Sequence, residues 1–105
     1  MRNIVLRPRA QLDIEGIAVY LAIELGLPQS ARSTVNALYT SIDQLAELPD
    51  LGRMFANSSL DRTYRRLLVK GYWIYYSYDD ETLFVWRIFH TRQDLDAFGY
   101  EAFER

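Results

Sequence analysis

The chain contains no cysteine, which excludes disulfides, thiolate nucleophiles and cysteine-based zinc sites. Its single histidine, His90, is too few for a His-rich metal site, and no cluster of Asp and Glu has calcium-loop spacing. Neither a metal nor a cofactor is therefore expected. The five glycines are scattered, with no GxGxxG and no P-loop pattern, so no phosphate-cradling loop is expected, and serine nucleophile elbows are absent. Apolar runs are only a few residues long, far short of a membrane span, and the opening MRNIVLRPRA lacks the long apolar region of a secretory signal. The expected location is the cytoplasm, with no membrane partner. An excess of positive charge is missing too. Twelve Lys/Arg stand against 14 Asp/Glu, a net charge of −2, which argues against a protein whose main task is to grip phosphate backbones.

What is present suits one small domain, residues 1–105, with half its residues hydrophobic and a quarter charged. The charges are unevenly spread. Residues 1–52 carry four Lys/Arg against six Asp/Glu, residues 53–92 seven against four, and residues 93–105 one against four. A basic middle thus lies between acidic ends, either as an ordinary mixed surface or as a functional basic face.

NIVLR at 3–7 reads as a short strand, and Pro8 suits the first turn of the helix that follows. Ile14, Ile17, Ala18, Leu21 and Leu25 form an apolar stripe at helical spacing as far as Gly26, a left-handed cap. Pro28 opens a second helix with Ala31, Val35, Leu38, Ile42 and Leu45 as its seam. The short GLP connection makes the pair an antiparallel hairpin, and Pro49 ends it. PDLGRMFANSSLDRT then reads as a loop. Three segments dense in aromatic and β-branched residues follow: 64–69, 72–78 and 82–89. They are separated by KG and by Asp79, Asp80 and Glu81, both hairpin-sized joins. The expected fold is α+β, an N-terminal strand and a helical hairpin packed on a small, mainly antiparallel sheet.

Two of these strands are apolar on both faces. Tyr72, Ile74 and Tyr76 alternate with Trp73 and Tyr75; Leu83, Val85 and Phe89 alternate with Phe84, Trp86 and Ile88. The helices can cover one face. The other needs the C-terminal segment, with Phe98, Tyr100 and Phe103, or a partner protein. Arg65 and Arg66 could approach Arg87 by antiparallel pairing, either as a cationic cluster for a ligand or as partners for acids on the helices.

HTRQDLDAF, residues 90–98, invites a reading as a catalytic site, because histidine is the usual acid or base near neutral pH. A trio of Ser58 or Ser59, His90 and Asp94 can be assembled, but a small protein offers such trios by chance. The order of elements together with RPRAQLDIEGIAVYL, LAELPDLGR, YRRLLV, KGYWIYYSY and VWRIFHTRQD resembles the ParE branch of the RelE/ParE superfamily over residues 4–94. These are toxins of bacterial type II toxin–antitoxin modules, of the kind that stabilise plasmids. The resemblance makes residues 1–94 the core and 95–105 an extension.

The resemblance implies a protein that inhibits DNA gyrase without chemistry of its own and is neutralised by a ParD-like antitoxin. On that basis Arg87, His90, Arg92, Gln93 and Asp94 are expected to face the target, and Arg65, Arg66, Trp73 and Tyr75 the antitoxin. The alternative within the superfamily is a RelE-like ribosome-dependent mRNA endoribonuclease using Arg65, Arg66, His90 and Arg92. Against it, Trp73 stands where RelE-like enzymes carry an arginine, and their late acid/base group is matched only loosely by Phe98, which cannot transfer a proton, or by Tyr100. A third reading is a module that only binds its antitoxin.

Overall fold

The computed structural model describes residues 1–55 and 64–92. Strand β1 (Asn3–Leu6) leads through Arg7 into helix α1 (Pro8–Val19), whose Pro8 occupies the first turn. The helix does not run regularly to Leu25. Tyr20–Glu24 form a π-helical turn, closed by the Leu25 amide donating to the Tyr20 carbonyl at 3.0 Å. The wider turn takes Leu25 off the apolar stripe, and it is exposed. Gly26 then reverses the chain at φ +65°, the left-handed conformation expected of it.

Helix α2 (Pro28–Glu47) buries Ala31, Thr34, Leu38, Ile42, Leu45 and Ala46, so the predicted seam packs except that Val35 is only half-buried and Thr34 is buried beside it. A single 3-10 turn, Pro49–Leu51, ends it. The predicted loop hides a strand, β2 (Arg53–Phe55), followed by β3 (Tyr64–Val69), β4 (Tyr72–Tyr78) and β5 (Thr82–His90). The five strands form one sheet in the order β1-β5-β4-β3-β2. Three pairings are antiparallel, but β1 lies parallel to β5, with Asn3 opposite Thr82 and Leu6 opposite Val85. The β3–β4 join is a tight hairpin in which both Lys70 (φ 54°) and Gly71 (φ 83°) are left-handed, as a type I′ turn requires. At the next join, the Asp79 carboxylate accepts hydrogen bonds from the amides of Glu81 and Thr82.

The helices cover one face of the sheet. Ala10, Ile14, Leu38, Ile42 and Leu45 meet Tyr72, Ile74, Tyr76, Leu83, Val85 and Ile88 there. The other face carries its own cluster of Tyr64, Tyr75, Trp86 and Phe89, with Trp73 and Phe84 packed against it. The C-terminal segment expected as a cover lies outside the described residues.

Strand β4 alternates as predicted, but β5 does not. Tyr75 pairs with Arg87 and Tyr76 with Val85, leaving Trp86 as the extra residue of a β-bulge. An inserted residue reverses which face each later side chain takes. Ile88 therefore joins the helix-side core and Phe89 the outer cluster, the opposite of the predicted alternation.

Candidate functional site

The bulge also decides where His90 goes. Displaced to the helix side, His90 stands edge-on to its cross-strand partner Tyr72, with ring centroids 5.2 Å apart and planes at 85°. The two rings line an open groove of about 500 Å³ between α1 and the ends of β4 and β5. Leu12, Gly16, Ile17 and Tyr20 form its helix side, and Tyr72, Ile88, His90 and Arg92 its strand side; Asp13 also lines it. The Arg92 amide donates to His90 Nδ1 at 3.0 Å, which puts the proton of the neutral ring on Nε2. Burial, with the Tyr20 hydroxyl adding to it, raises the Tyr72 phenol above its ordinary value.

Asp13 is fully engaged. Strand β1 stops opposite Val85, so among the described residues β5 has no neighbouring strand on this side beyond that point. The Asp13 carboxylate takes its place, accepting from the Ile88 amide at 2.8 Å while Arg87 donates to both of its oxygens, Nε at 2.8 Å and Nη2 at 3.0 Å. The side chains of this pair are only 12% and 16% exposed. Arg87, expected on a surface with His90 and Arg92, instead serves as the partner of a helix acid.

The other arginines divide in the same way. Arg65 donates to the Gly52 carbonyl at 2.8 Å and pairs with Asp50 at 3.5 Å, so it anchors the turn after α2. Tyr76 completes that anchor. Its buried hydroxyl donates to the Pro49 carbonyl at 2.5 Å and accepts from the Gly52 amide at 2.9 Å, and burial raises its pKa, so it stays protonated. Arg66 lies on the outer face with its guanidinium 4.1 Å above the Trp73 ring. Trp73 is half-buried, whereas Tyr75, expected to face a partner, is 3% exposed and packs edge-on to Phe89 at 5.7 Å. Cross-strand pairing sets Tyr75 between Arg66 and Arg87, so the expected contact of those arginines is not made. Gln93, Asp94, Ser58 and Ser59 lie outside the described residues.

The family described as ParE toxin of type II toxin-antitoxin system, parDE, matches residues 4–95. The chain belongs to this ParE toxin family. Among solved structures it is similar to a chain titled "Chromosomal ParDE TA system from P. aeruginosa", at a TM-score of 0.69 and 15% identity, covering 86% of this chain and 96% of that one. At that identity the likeness concerns the fold. No curated protein matches.

For a ParE-family toxin the groove was only half legible in the sequence. His90 and Arg92 stood out by residue type. Gly16, Tyr20 and Tyr72 did not, although a glycine inside a helical stripe was a usable signal. Among the described residues no group of three His, Asp or Glu is placed to hold a metal, and no helix is long and apolar enough to cross a membrane.

Proposed function

We propose that this ParE-family chain is a toxin that inhibits DNA gyrase by protein–protein contact and is neutralised by a cognate ParD-like antitoxin. The observation that carries this reading is the state of the groups around His90. Asp13, the carboxylate lining the groove, is held by Arg87 and the Ile88 amide, and the Tyr72 phenol is raised rather than tuned toward neutrality. Such a groove is suited to recognition more than to proton transfer. His90 and Arg92 supply its polar groups, and Gln93 and Asp94 continue the same stretch of sequence as proposed target contacts.

The antitoxin reading rests on the exposed apolar side chains of the helical hairpin, among them Leu12, Val19, Tyr20 and Ile23, and on the Arg66–Trp73 stack. These lie on opposite faces of the sheet, so an antitoxin that meets both passes around its edge, with apolar side chains on the hairpin and acidic ones beside Arg66. Tyr75 is packed beneath Arg66 in the outer cluster, whereas Arg65 is held in the turn after α2.

Supercoiling and cleavage assays with purified gyrase test the proposal. Inhibition or a trapped cleavage complex, reversed by added antitoxin, is the expected result; unaffected gyrase overturns it. A second reading, a ribosome-dependent ribonuclease, draws on Tyr20 and Tyr72 standing beside His90 and Arg92. New 3′ ends within mRNA in a translating extract would support it.

A further inference from the structure

The outer face of the sheet holds four aromatic side chains, Tyr64, Tyr75, Trp86 and Phe89, that are between 0% and 7% exposed. They stand on β3, β4 and β5, and the residues packed against them, Trp73 and Phe84, come from the same strands. Strand side chains project roughly perpendicular to their sheet, so neighbours within one face bury the flanks of such rings and only material lying across the face buries their tips. Both helices lie on the opposite face. Among the described residues, therefore, no element is placed to supply the cover that this burial requires.

The limits of the cover are legible too. Val5 and Leu68 alternate with residues of the helix-side core and so share the outer face, yet they are 36% and 52% exposed. What lies over the aromatic cluster ends before both. Charge adds a second constraint. The Arg7 guanidinium lies 5.1 Å from the centre of the Trp86 ring, and its Nε is buried with no hydrogen-bond acceptor among the described residues. A buried cationic donor is costly unless an acceptor meets it, and a carboxylate meets it best. The cover has to be apolar over the cluster and acidic beside Arg7.

Two stretches lie outside the described residues, 56–63 and 93–105. The first, ANSSLDRT, offers one large apolar side chain, Leu60, and balanced charges, Asp61 and Arg62. The second contains the extension 95–105, LDAFGYEAFER, with Leu95, Phe98, Tyr100 and Phe103 and with Asp96, Glu101 and Glu104 against Arg105 alone. Its eleven residues reach about 35 Å when extended or about 16 Å as a helix, and the distance from β5 across to β2 is roughly 14 Å. Composition, charge and reach all favour the extension.

We propose that residues 95–105 form a strap across the outer face of the sheet, seating their aromatic side chains on the Tyr64, Tyr75, Trp86 and Phe89 cluster and an acid on Arg7. The strap makes the extension part of the folded domain and closes the centre of that face to other molecules, leaving its rim at Leu68. The inference is independent of whether gyrase is the target.

Nuclear Overhauser contacts in the full-length chain test it without any substitution. Ring protons of Phe98, Tyr100 or Phe103 should contact those of Tyr75 and Trp86, and should not contact Ile42 or Leu45 under the helices. Contacts from Leu60 in their place assign the cover to 56–63 and overturn the proposal. Contacts that grow with protein concentration assign it to a second copy and overturn it as well. Phe98→Ser, Tyr100→Ser and Phe103→Ser combined should lower the melting temperature by roughly 10 °C or more and shift the tryptophan emission to the red, because Trp86 loses its cover. An unchanged melt and emission would sink the strap, and the contact map decides the matter even where this variant fails to fold. Arg7→Met keeps an aliphatic chain over Trp86 and removes the guanidinium. Neutralising the acids of the extension (Asp96→Asn, Glu101→Gln and Glu104→Gln) should lower the melting temperature of the parent but not that of Arg7→Met, since partners in contact are not additive. Fully additive losses overturn the pairing with Arg7.

Discussion

Asp13 and Arg87, 74 positions apart, meet at the edge of β5 just beyond its pairing with β1. The carboxylate bonds the strand's Ile88 amide and the guanidinium beside it, at 2.8 Å in each case. Removing one partner of a pair this buried leaves a charge without compensation, so Asp13→Ala should lower stability by about 3 kcal/mol. Asp13→Asn, which can still accept from Ile88, should lose less. Urea denaturation of both variants checks the order.

The turn after α2 depends on Tyr76 and on the missing side chain of Gly52. A Cβ on Gly52 would lie 2.5 Å from the Tyr76 hydroxyl and 2.7 Å from the Arg66 carbonyl, with backbone that cannot yield easily. Tyr76→Phe strands the Gly52 amide and the Pro49 carbonyl, at a cost of about 1–3 kcal/mol. Gly52→Ala should be at least as damaging. Thermal melts followed by circular dichroism measure both.

Trp73 and Tyr75 separate binding from folding. Tyr75→Ala empties a packed position in the outer cluster and should cost about 3–5 kcal/mol. Trp73→Ala removes the half-buried ring under Arg66 and is expected to weaken the antitoxin complex about tenfold or more with a smaller loss of stability. Calorimetric titration with the antitoxin, alongside melts of the free chain, distinguishes the two; equal stability losses would remove Trp73 from the interface.

Asp79 supplies a pH signature. The Glu81 amide, then the Thr82 amide, with Arg2 nearby, hold its carboxyl below the ordinary aspartate value. A depressed folded pKa contributes stability that is present above the unfolded value, about 4, and is lost as pH falls through the folded one. Denaturation midpoints should therefore fall less steeply below about pH 4 in Asp79→Asn than in the parent, and a carboxyl carbon titration should place Asp79 below a reference aspartate.

The parts of the fold legible in the sequence are those fixed by neighbours along the chain. The two hairpin joins, the left-handed Gly26 and the α2 seam all follow from residue type at short spacing. Strand β2 escaped notice because three residues among turn formers carry no period. The bulge at Trp86 escaped because alternation cannot reveal an extra residue, and Ile88 and Phe89 after it were assigned to the wrong faces. Asp13 reads as an ordinary helix acid until β5 is brought beside it. For the same reason His90 and Arg92 were visible by chemistry, whereas Gly16 and Tyr72, which shape the space beside them, were not.

The parallel pairing of β1 with β5 also bears on the order of events during synthesis. Residues 3–6 lie against residues 82–85, so β1 has no sheet neighbour until nearly the whole of the described chain has left the ribosome. The helical hairpin can form early from local contacts, but the sheet that presents His90 cannot. A chain built this way closes its sheet around β5 only after residues 82–90 are made, so the pairing that seats β1 is among the last contacts of the described residues to form.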